Sequence, residues 1–140
     1  IIDSIVLAIG QQRGEQYWPI KSLLDADAPI LAGSDWPSAV ESVSPWIGIE
    51  AMITRQDPRD KSTGVLWESE AVSLDRALRI YTLEGAKALK LADRIGSVSV
   101  GKSADMIVLS HNLFEIPAKQ IGDTVVEKTL FKGRLVHQAN

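Results

Sequence analysis

One carboxylate occupies a position where chemistry is often found. Asp35 follows residues 30–33, a continuously apolar run bounded by turn-forming residues, which predicts a short buried strand. Catalytic groups collect at the carboxyl ends of parallel strands, and an aspartate there can bind a metal ion and take a proton from bound water. The structural alternative is an aspartate that caps the following turn. The local pattern alone favours that alternative, because it contains no second metal-binding side chain.

Residues 96–103 match the phosphate-binding pattern G-x-x-x-x-G-K-[ST] letter for letter. In a nucleotide-binding protein, Lys102 would reach the terminal phosphates and Ser103 would bind magnesium. This chemistry needs a buried strand before the loop and a helix after it. Here a helical stripe precedes the pattern and an apolar strand, residues 106–109, follows it. We therefore interpret the segment as two extended stretches with glycine turns, and nucleotide binding is a minor alternative.

Other polar and aromatic residues have structural explanations as good as functional ones. His111 is predicted in a solvated turn and His137 at the end of an edge strand. Trp36 and Trp46 could line a substrate mouth, although packing in the interior is at least as typical of tryptophan. Arg55 ends a predicted helix, where a cation complements the helix dipole.

Asp105 is expected to accept backbone N–H bonds from the turn at Gly101.

The elements that position these residues follow from the spacing of apolar residues. Glycines and β-branched residues predominate from residue 95, so we place a domain boundary near residue 94. Residues 1–10 fit a helix or a strand equally well. Helices are predicted after Pro19, from Ser44 and Pro45 to Arg55, after Ser73 and after Thr82. Strands are predicted over residues 106–109 and 124–131, and a tight turn at residues 132–133 leads from the second strand into Leu135 and Val136.

Composition excludes several classes of function. The 140 residues are 45% hydrophobic and 24% charged with a net charge of −3, as in a globular domain. No basic stripe is present, so we expect no nucleic-acid or membrane partner. The absence of cysteine excludes a thiolate nucleophile and a Cys-ligated zinc site. No apolar run approaches the roughly 18 residues of a membrane span and no signal-peptide pattern is present, so we expect a cytoplasmic protein.

Short motifs in a fixed order extend over nearly the whole chain from about residue 12. They are Ala32-Gly33-Ser34-Asp35-Trp36-Pro37, Pro45-Trp46, Thr54-Arg55, Ala77-Leu78, Tyr81-Thr82, Gly85-Ala86, Gly96-Ser97, Gly101-Lys102-Ser103-Ala104-Asp105, Val108-Leu109 and Lys132-Gly133-Arg134-Leu135-Val136. This ordered set resembles the amidohydrolase superfamily of metal-dependent hydrolases. It is most similar to amidohydrolase family 3, the branch that includes N-substituted formamide deformylases. The resemblance also accounts for Gly101-Lys102-Ser103 without a nucleotide.

The resemblance implies an α/β fold, namely a TIM-like eight-fold barrel joined to a small β-sandwich made from both chain ends. Residues 1–94 would be the last strand and helices of the barrel, and residues 95–140 the C-terminal half of the sandwich. The start at Ile1 rather than methionine suggests either processing or a piece of a longer protein. By position, Asp35 matches the aspartate after the eighth strand. It would then bind a divalent metal, expected to be zinc, and accept a proton as hydroxide attacks a carbonyl carbon.

The chain departs from the family pattern in its other metal ligands. The family supplies a His-x-His pair, a carboxylated lysine or a glutamate, and two further histidines, whereas His111 and His137 fall in the sandwich region. One aspartate cannot hold zinc. We therefore expect the chain alone to bind no metal and to be inactive, and the intact protein to hydrolyse a non-peptide C–N bond in a small amide-type substrate. The alternative is a non-catalytic binding or assembly module. Unpaired strand edges also predict self-association.

Overall fold

The computed structural model describes residues 2–38, 40–62 and 64–139, with the side chain of Ile2 left out. Within the first ten residues, which fit either a helix or a strand, Ile2–Ile9 form a helix, and Ile1 lies outside the described residues. The helices are α1 (Ile2–Ile9), α2 (Gln11–Glu15), α3 (Ile20–Asp25), α4 (Pro45–Thr54), α5 (Leu74–Tyr81) and α6 (Leu83–Ala88), with 3-10 turns at Glu68–Glu70 and Ala118–Asp123; the strands are β1 (Met106–Leu109), β2 (Val126–Phe131) and β3 (Arg134–Gln138).

The helix starts agree with the predictions, but the capping interactions agree only in part. At the start of α5, the Ser73 hydroxyl accepts a hydrogen bond from the backbone N–H of Arg76 at 3.3 Å. Ser44 precedes α4 without a side-chain capping bond. Thr82 precedes α6, yet its hydroxyl donates to the Leu78 carbonyl at 2.8 Å. Thr82 is therefore the N-cap residue of α6, as predicted, but its hydroxyl bonds the preceding helix and not α6. None of the helices in the described ranges is long and apolar enough to cross a bilayer.

The strands form one antiparallel sheet in the order β1-β2-β3. β2 and β3 are joined by a two-residue turn in which Lys132 and Gly133 have φ angles of 50° and 76°. Two successive positive φ angles are typical of the hairpin turn that matches the twist of the strands. Asp105 accepts a hydrogen bond from the Lys132 backbone N–H at 2.7 Å. The expected role of Asp105 at the Gly101 turn is thus wrong, since its carboxylate stabilises the β2–β3 hairpin instead.

A single hydrophobic cluster joins the helical part to the β-rich part. Its centre lies where α4 packs against α5 and against the 3-10 turn Ala118–Asp123. The boundary near residue 94 therefore marks a change in secondary structure within one shared core, and its status as a domain boundary stays a prediction. The buried members of the cluster are Trp46, Ile49, Met52, Val72, Ala77, Ile80, Leu113 and Ile121.

A buried carboxylate reinforces the same junction. Glu50 on α4 is 1% exposed and accepts a hydrogen bond from the backbone N–H of Gly122 at 2.7 Å. The ammonium of Lys61 lies 3.5 Å from the other carboxylate oxygen. Because a buried charge needs such partners, Glu50 ties α4 to the Ala118–Asp123 turn through complementary polar contacts.

The predicted strand at residues 30–33 is wrong within the described part of the chain. This segment has no regular secondary structure. Ile30 and Ala32 pack against the core, while Leu31 is 56% exposed. A strand requires a neighbouring strand with which to exchange hydrogen bonds, and the sheet of the described residues forms from β1, β2 and β3 alone. The apolar pattern thus identified residues that contact the core, but not a paired strand.

A second buried carboxylate links α3 to the turn before α5. Glu70 is 4% exposed and accepts hydrogen bonds from the backbone N–H of Ser22, at 2.8 Å, and from its hydroxyl. Burial alone would raise the pKa of Glu70, but these bonds and the positive charge of Arg55 more than offset it. The pKa of Glu70 therefore lies below the ordinary glutamate value of 4.5.

This lowered pKa predicts a loss of stability in acid. Its contribution is complete above the unfolded-state pKa and disappears as the pH falls through the lower folded-state pKa. We expect the free energy of unfolding to fall as the pH drops through the ordinary glutamate value of 4.5 and below it, and to fall less steeply in Glu70→Gln. Urea unfolding across this pH range measures both slopes, with Glu68→Gln, an exposed neighbour, as the control. Parallel pH profiles for wild type and Glu70→Gln would refute this assignment.

Candidate active site around Asp35

Asp35 lies in a loop whose backbone is held by two hydrogen bonds. Its φ angle is 57°, in the left-handed region that aspartate adopts more readily than most residues. The hydroxyl of Ser34 accepts a hydrogen bond from the Trp36 backbone N–H at 3.2 Å. The Asp35 carbonyl accepts another from the backbone N–H of Ser38 at 2.8 Å. These two bonds define the turn and leave the Asp35 side chain out of it.

The Asp35 carboxylate is exposed and makes no hydrogen bond or ion pair with the described residues. The structural alternative, in which this carboxylate caps the turn, is therefore wrong. The Ser34 hydroxyl performs that role instead. An exposed carboxylate on a tied loop can accept a proton from water or bind a cation, as the sequence predicts for Asp35.

The two tryptophans after Asp35 occupy different environments. Trp46 is 6% exposed and belongs to the core on α4, so its packing role is the correct alternative. Trp36 is 55% exposed and borders an open depression of about 460 Å³. The depression is lined by Trp36, Pro37, Ser38, Val40, Glu41 and Arg59.

The two histidines lie apart from this loop. His137 is exposed on β3, as predicted. His111 is half-buried, with its Nε2 3.1 Å from the Thr124 hydroxyl and its Nδ1 3.0 Å from the Ser110 hydroxyl. Because Thr124 uses its proton to bond the Ile121 carbonyl, it accepts from His111 Nε2–H. The prediction of a solvated turn residue is wrong for His111, which connects the end of β1 to the start of β2.

Arg55 has a larger structural role than predicted. It caps α4 in a left-handed conformation, and its side chain is buried. Its guanidinium donates to the carbonyls of Leu66 and Tyr17, each at 3.0 Å. Burial lowers the pKa of Arg55, and the charge of Glu70 offsets part of that effect. The helix-dipole explanation is therefore incomplete, because Arg55 mainly holds two loops against the end of α4.

The segment that resembles a phosphate-binding loop has the predicted structural form. Gly96 and Gly101 have φ angles of 88° and 89°, and β1 rather than a helix follows them. The ammonium of Lys102 donates to the Ser97 hydroxyl at 2.7 Å. A Cβ at Gly96 would lie 2.5 Å from the Cβ of Ala86, so close packing explains this glycine. The glycine turns and the strand that follows them are confirmed, and the extended stretches stay a prediction.

The donor set in the described residues does not by itself fit a resident metal ion. No group of three or more His, Asp or Glu side chains within the described ranges is arranged to hold one. Asp35 offers one carboxylate, whereas a protein zinc site takes at least three protein ligands. These residues alone therefore support no step through a metal.

A comparison with known proteins decides the family. The model of the family described as "Amidohydrolase family" matches residues 3–137, which is nearly the entire chain. This chain belongs to the amidohydrolase family. The motif order in its sequence had indicated the same family, and the match confirms that resemblance.

Individual amidohydrolase relatives are longer than this chain. It is 31% identical over 125 residues to Protein LONG AFTER FAR-RED 3 of Arabidopsis thaliana, covering 89% of this chain and 21% of the relative. It is 29% identical over 131 residues to the N-substituted formamide deformylase of Arthrobacter pascens, covering 90% of this chain and 23% of that relative. A crystal structure of an uncharacterized protein matches 94% of this chain and 28% of its own, with a TM-score of 0.57 and 24% identity, which shows a shared fold. The chain thus spans less than a quarter of the length of these two curated relatives.

Proposed function

We propose that this amidohydrolase chain is the C-terminal portion of an enzyme that hydrolyses a non-peptide C–N bond in a small amide-type molecule. The observation that carries the proposal is the exposed, unpartnered Asp35 carboxylate on a loop tied by Ser34 and Ser38. The family match supports the reaction class. The similarity to a protein named N-substituted formamide deformylase supports an amide-type substrate.

Asp35 supplies the proton acceptor in this reaction. Its carboxylate takes a proton from water while the water oxygen bonds to the carbonyl carbon of the amide. Asp35 then gives this proton to the nitrogen as the C–N bond breaks, so an amine leaves, the carboxylic acid remains and Asp35 is a carboxylate again. Ser34 positions Asp35 indirectly, because its hydroxyl holds the turn without engaging the carboxylate.

The rest of the site would come from outside these 140 residues. We propose that residues 1–94 form the last unit of a TIM-like barrel and residues 95–140 half of a composite β-sandwich. In this proposal, the apolar segment 30–33 would pair with barrel strands that lie outside these 140 residues. A divalent metal, with zinc as the candidate, would need Asp35 together with ligands supplied by other residues.

An amide-hydrolysis screen on the full-length protein tests this proposal. Substrates would include N-benzylformamide, neutral aliphatic amides and amides that carry an ammonium group, with amine release as the readout and metal content measured on the same sample. We expect amine release by the full-length protein and none by the 140-residue chain alone. A full-length protein that is folded, carries no metal and releases no amine from the panel would contradict the proposal. It would favour the alternative of a binding or assembly module.

The assembly alternative has its own structural support in the edge strand β3. All five residues of β3 are exposed, including Leu135 at 54% and Val136 at 52%. Its outer edge pairs with no strand in the described part of the chain. An exposed apolar edge is a template for pairing with another chain.

We therefore expect the isolated chain to self-associate as its concentration rises. Lysine on an edge strand opposes such pairing, so Val136→Lys should shift the protein toward monomer. Val98→Lys is the matched control, because Val98 is 84% exposed but lies outside the sheet. Sedimentation velocity across a concentration series measures the effect. A monomer at every concentration, or equal association of both variants, would rule out edge pairing.

A further inference from the structure

The open depression next to Trp36 is lined by one aromatic residue and two charged ones. The indole of Trp36 is 55% exposed, whereas Trp46 is buried in the core. Glu41 and Arg59 provide the charged side chains of the lining. An exposed indole beside charged groups presents both an apolar surface and an electrostatic preference to a ligand.

The positive charge of Arg59 is already paired with the carboxylate of Asp57. Its Nε and Nη2 atoms donate to the two carboxylate oxygens of Asp57, at 3.1 and 3.0 Å. Both Asp57 and the more distant Glu41 raise the pKa of Arg59, so both carboxylates act on this guanidinium. Two carboxylates thus surround one guanidinium, and the depression is left with an excess of negative charge.

Glu41 is the source of that excess. It is exposed and forms no salt bridge within 4.0 Å among the described residues. A cation in the depression would contact the indole of Trp36 and the carboxylate of Glu41, and each contact favours positive charge.

We propose that this depression binds an organic cation, such as a primary ammonium or an amidinium carried on an apolar group. The cationic head lies between Glu41 and Trp36, and the apolar part covers Pro37 and Val40. If the proposed hydrolase function holds, this ligand is the amine side of the substrate. The substrates are then amides that carry a second, positively charged nitrogen. That last step rests on the proposed function, whereas the cation site does not.

Binding of benzylammonium chloride to the 140-residue chain tests the site without any turnover. The chain has four tryptophans, so NMR resolves each indole N–H and identifies which one responds. We expect saturable shifts of the Trp36 indole and little change at Trp18, which is also half exposed. Phenylacetate, an anion of similar size, should bind at least tenfold more weakly than benzylammonium.

Two substitutions separate the cation site from non-specific adsorption. Glu41→Gln should weaken benzylammonium binding about fivefold, as expected for loss of one exposed charge contact. Glu115→Gln, at another exposed glutamate, should leave binding unchanged. The inference is overturned if phenylacetate binds as well as benzylammonium, if Trp36 does not respond, or if Glu41→Gln binds like wild type. Failure of the hydrolysis screen alone would leave the cation site intact, so the two proposals fail separately.

Discussion

Asp35→Asn in the full-length protein is expected to lower kcat/KM for amide hydrolysis by at least about a hundredfold. Asparagine has nearly the same shape as aspartate and tolerates the left-handed conformation at this position, where φ is 57°. It cannot accept a proton from water, however, and a general base typically contributes about 10²–10⁴-fold to the rate. The measurement is steady-state amine release, together with urea unfolding to show that stability is retained.

Asp27→Asn is the matched control for this experiment. Asp27 is also exposed and also left-handed, with a φ angle of 55°, but it lies before the apolar segment that leads to Asp35. The same chemical change there should leave kcat/KM unchanged. Equal activities of Asp35→Asn and wild type would remove Asp35 from the mechanism, and equal losses in both variants would point to a general effect on folding.

Gly48→Ala is expected to cost about 2 kcal/mol of stability through overpacking. A Cβ at Gly48 would lie 2.1 Å from the Tyr81 hydroxyl oxygen and 3.1 Å from the ring carbon that bears it. Gly48 is in α4 and Tyr81 ends α5, so the clash falls where these helices pack on the core. Burial, which raises the pKa of Tyr81, shows that the phenol is partly removed from water. To make room, Tyr81 must shift outward or the helices must separate.

Two further variants isolate this steric effect. Gly85→Ala in α6 meets no atom within 4 Å of the new Cβ and should be neutral or stabilising by up to about 1 kcal/mol. Tyr81→Phe combined with Gly48→Ala should recover part of the loss, because the closest atom is then removed. Urea unfolding gives the free energies of unfolding of wild type, Gly48→Ala, Gly85→Ala and the double variant. Gly48→Ala as stable as Gly85→Ala would show that α4 and α5 are not closely packed at this point.

The elements defined by local physics could be predicted from the sequence. The helix starting at Pro45, the helix capped by Ser73 and the β2–β3 hairpin follow from apolar spacing, a capping residue and a glycine turn. Each of these signals acts within a few residues. The residue range of each element was therefore close to the one observed.

Predictions that depend on distant partners failed. Residues 30–33 were expected to form a strand, yet pairing depends on a neighbouring strand that a local apolar pattern cannot supply. Asp105 bonds a backbone N–H 27 positions away, and Arg55 reaches the Tyr17 carbonyl 38 positions away. No periodicity in the sequence identifies such partners.

The buried carboxylates Glu50 and Glu70 were also missed. For Glu50 a signal was available, since an acidic residue directly after Ile49 on an apolar helix must either reach solvent or find a buried donor. The Gly122 backbone N–H is that donor. Asp35 itself was selected from its position after an apolar run, and its exposed carboxylate agrees with the chemistry expected there. Its catalytic role stays a prediction.

The most direct measurement is a crystal structure of the full-length protein grown with zinc. We predict that one Asp35 carboxylate oxygen lies about 2.0–2.2 Å from a metal ion at the mouth of a barrel, with the remaining ligands supplied by residues outside these 140. An Asp35 carboxylate that is turned toward backbone amides, away from any bound ion or open cleft, would contradict the account.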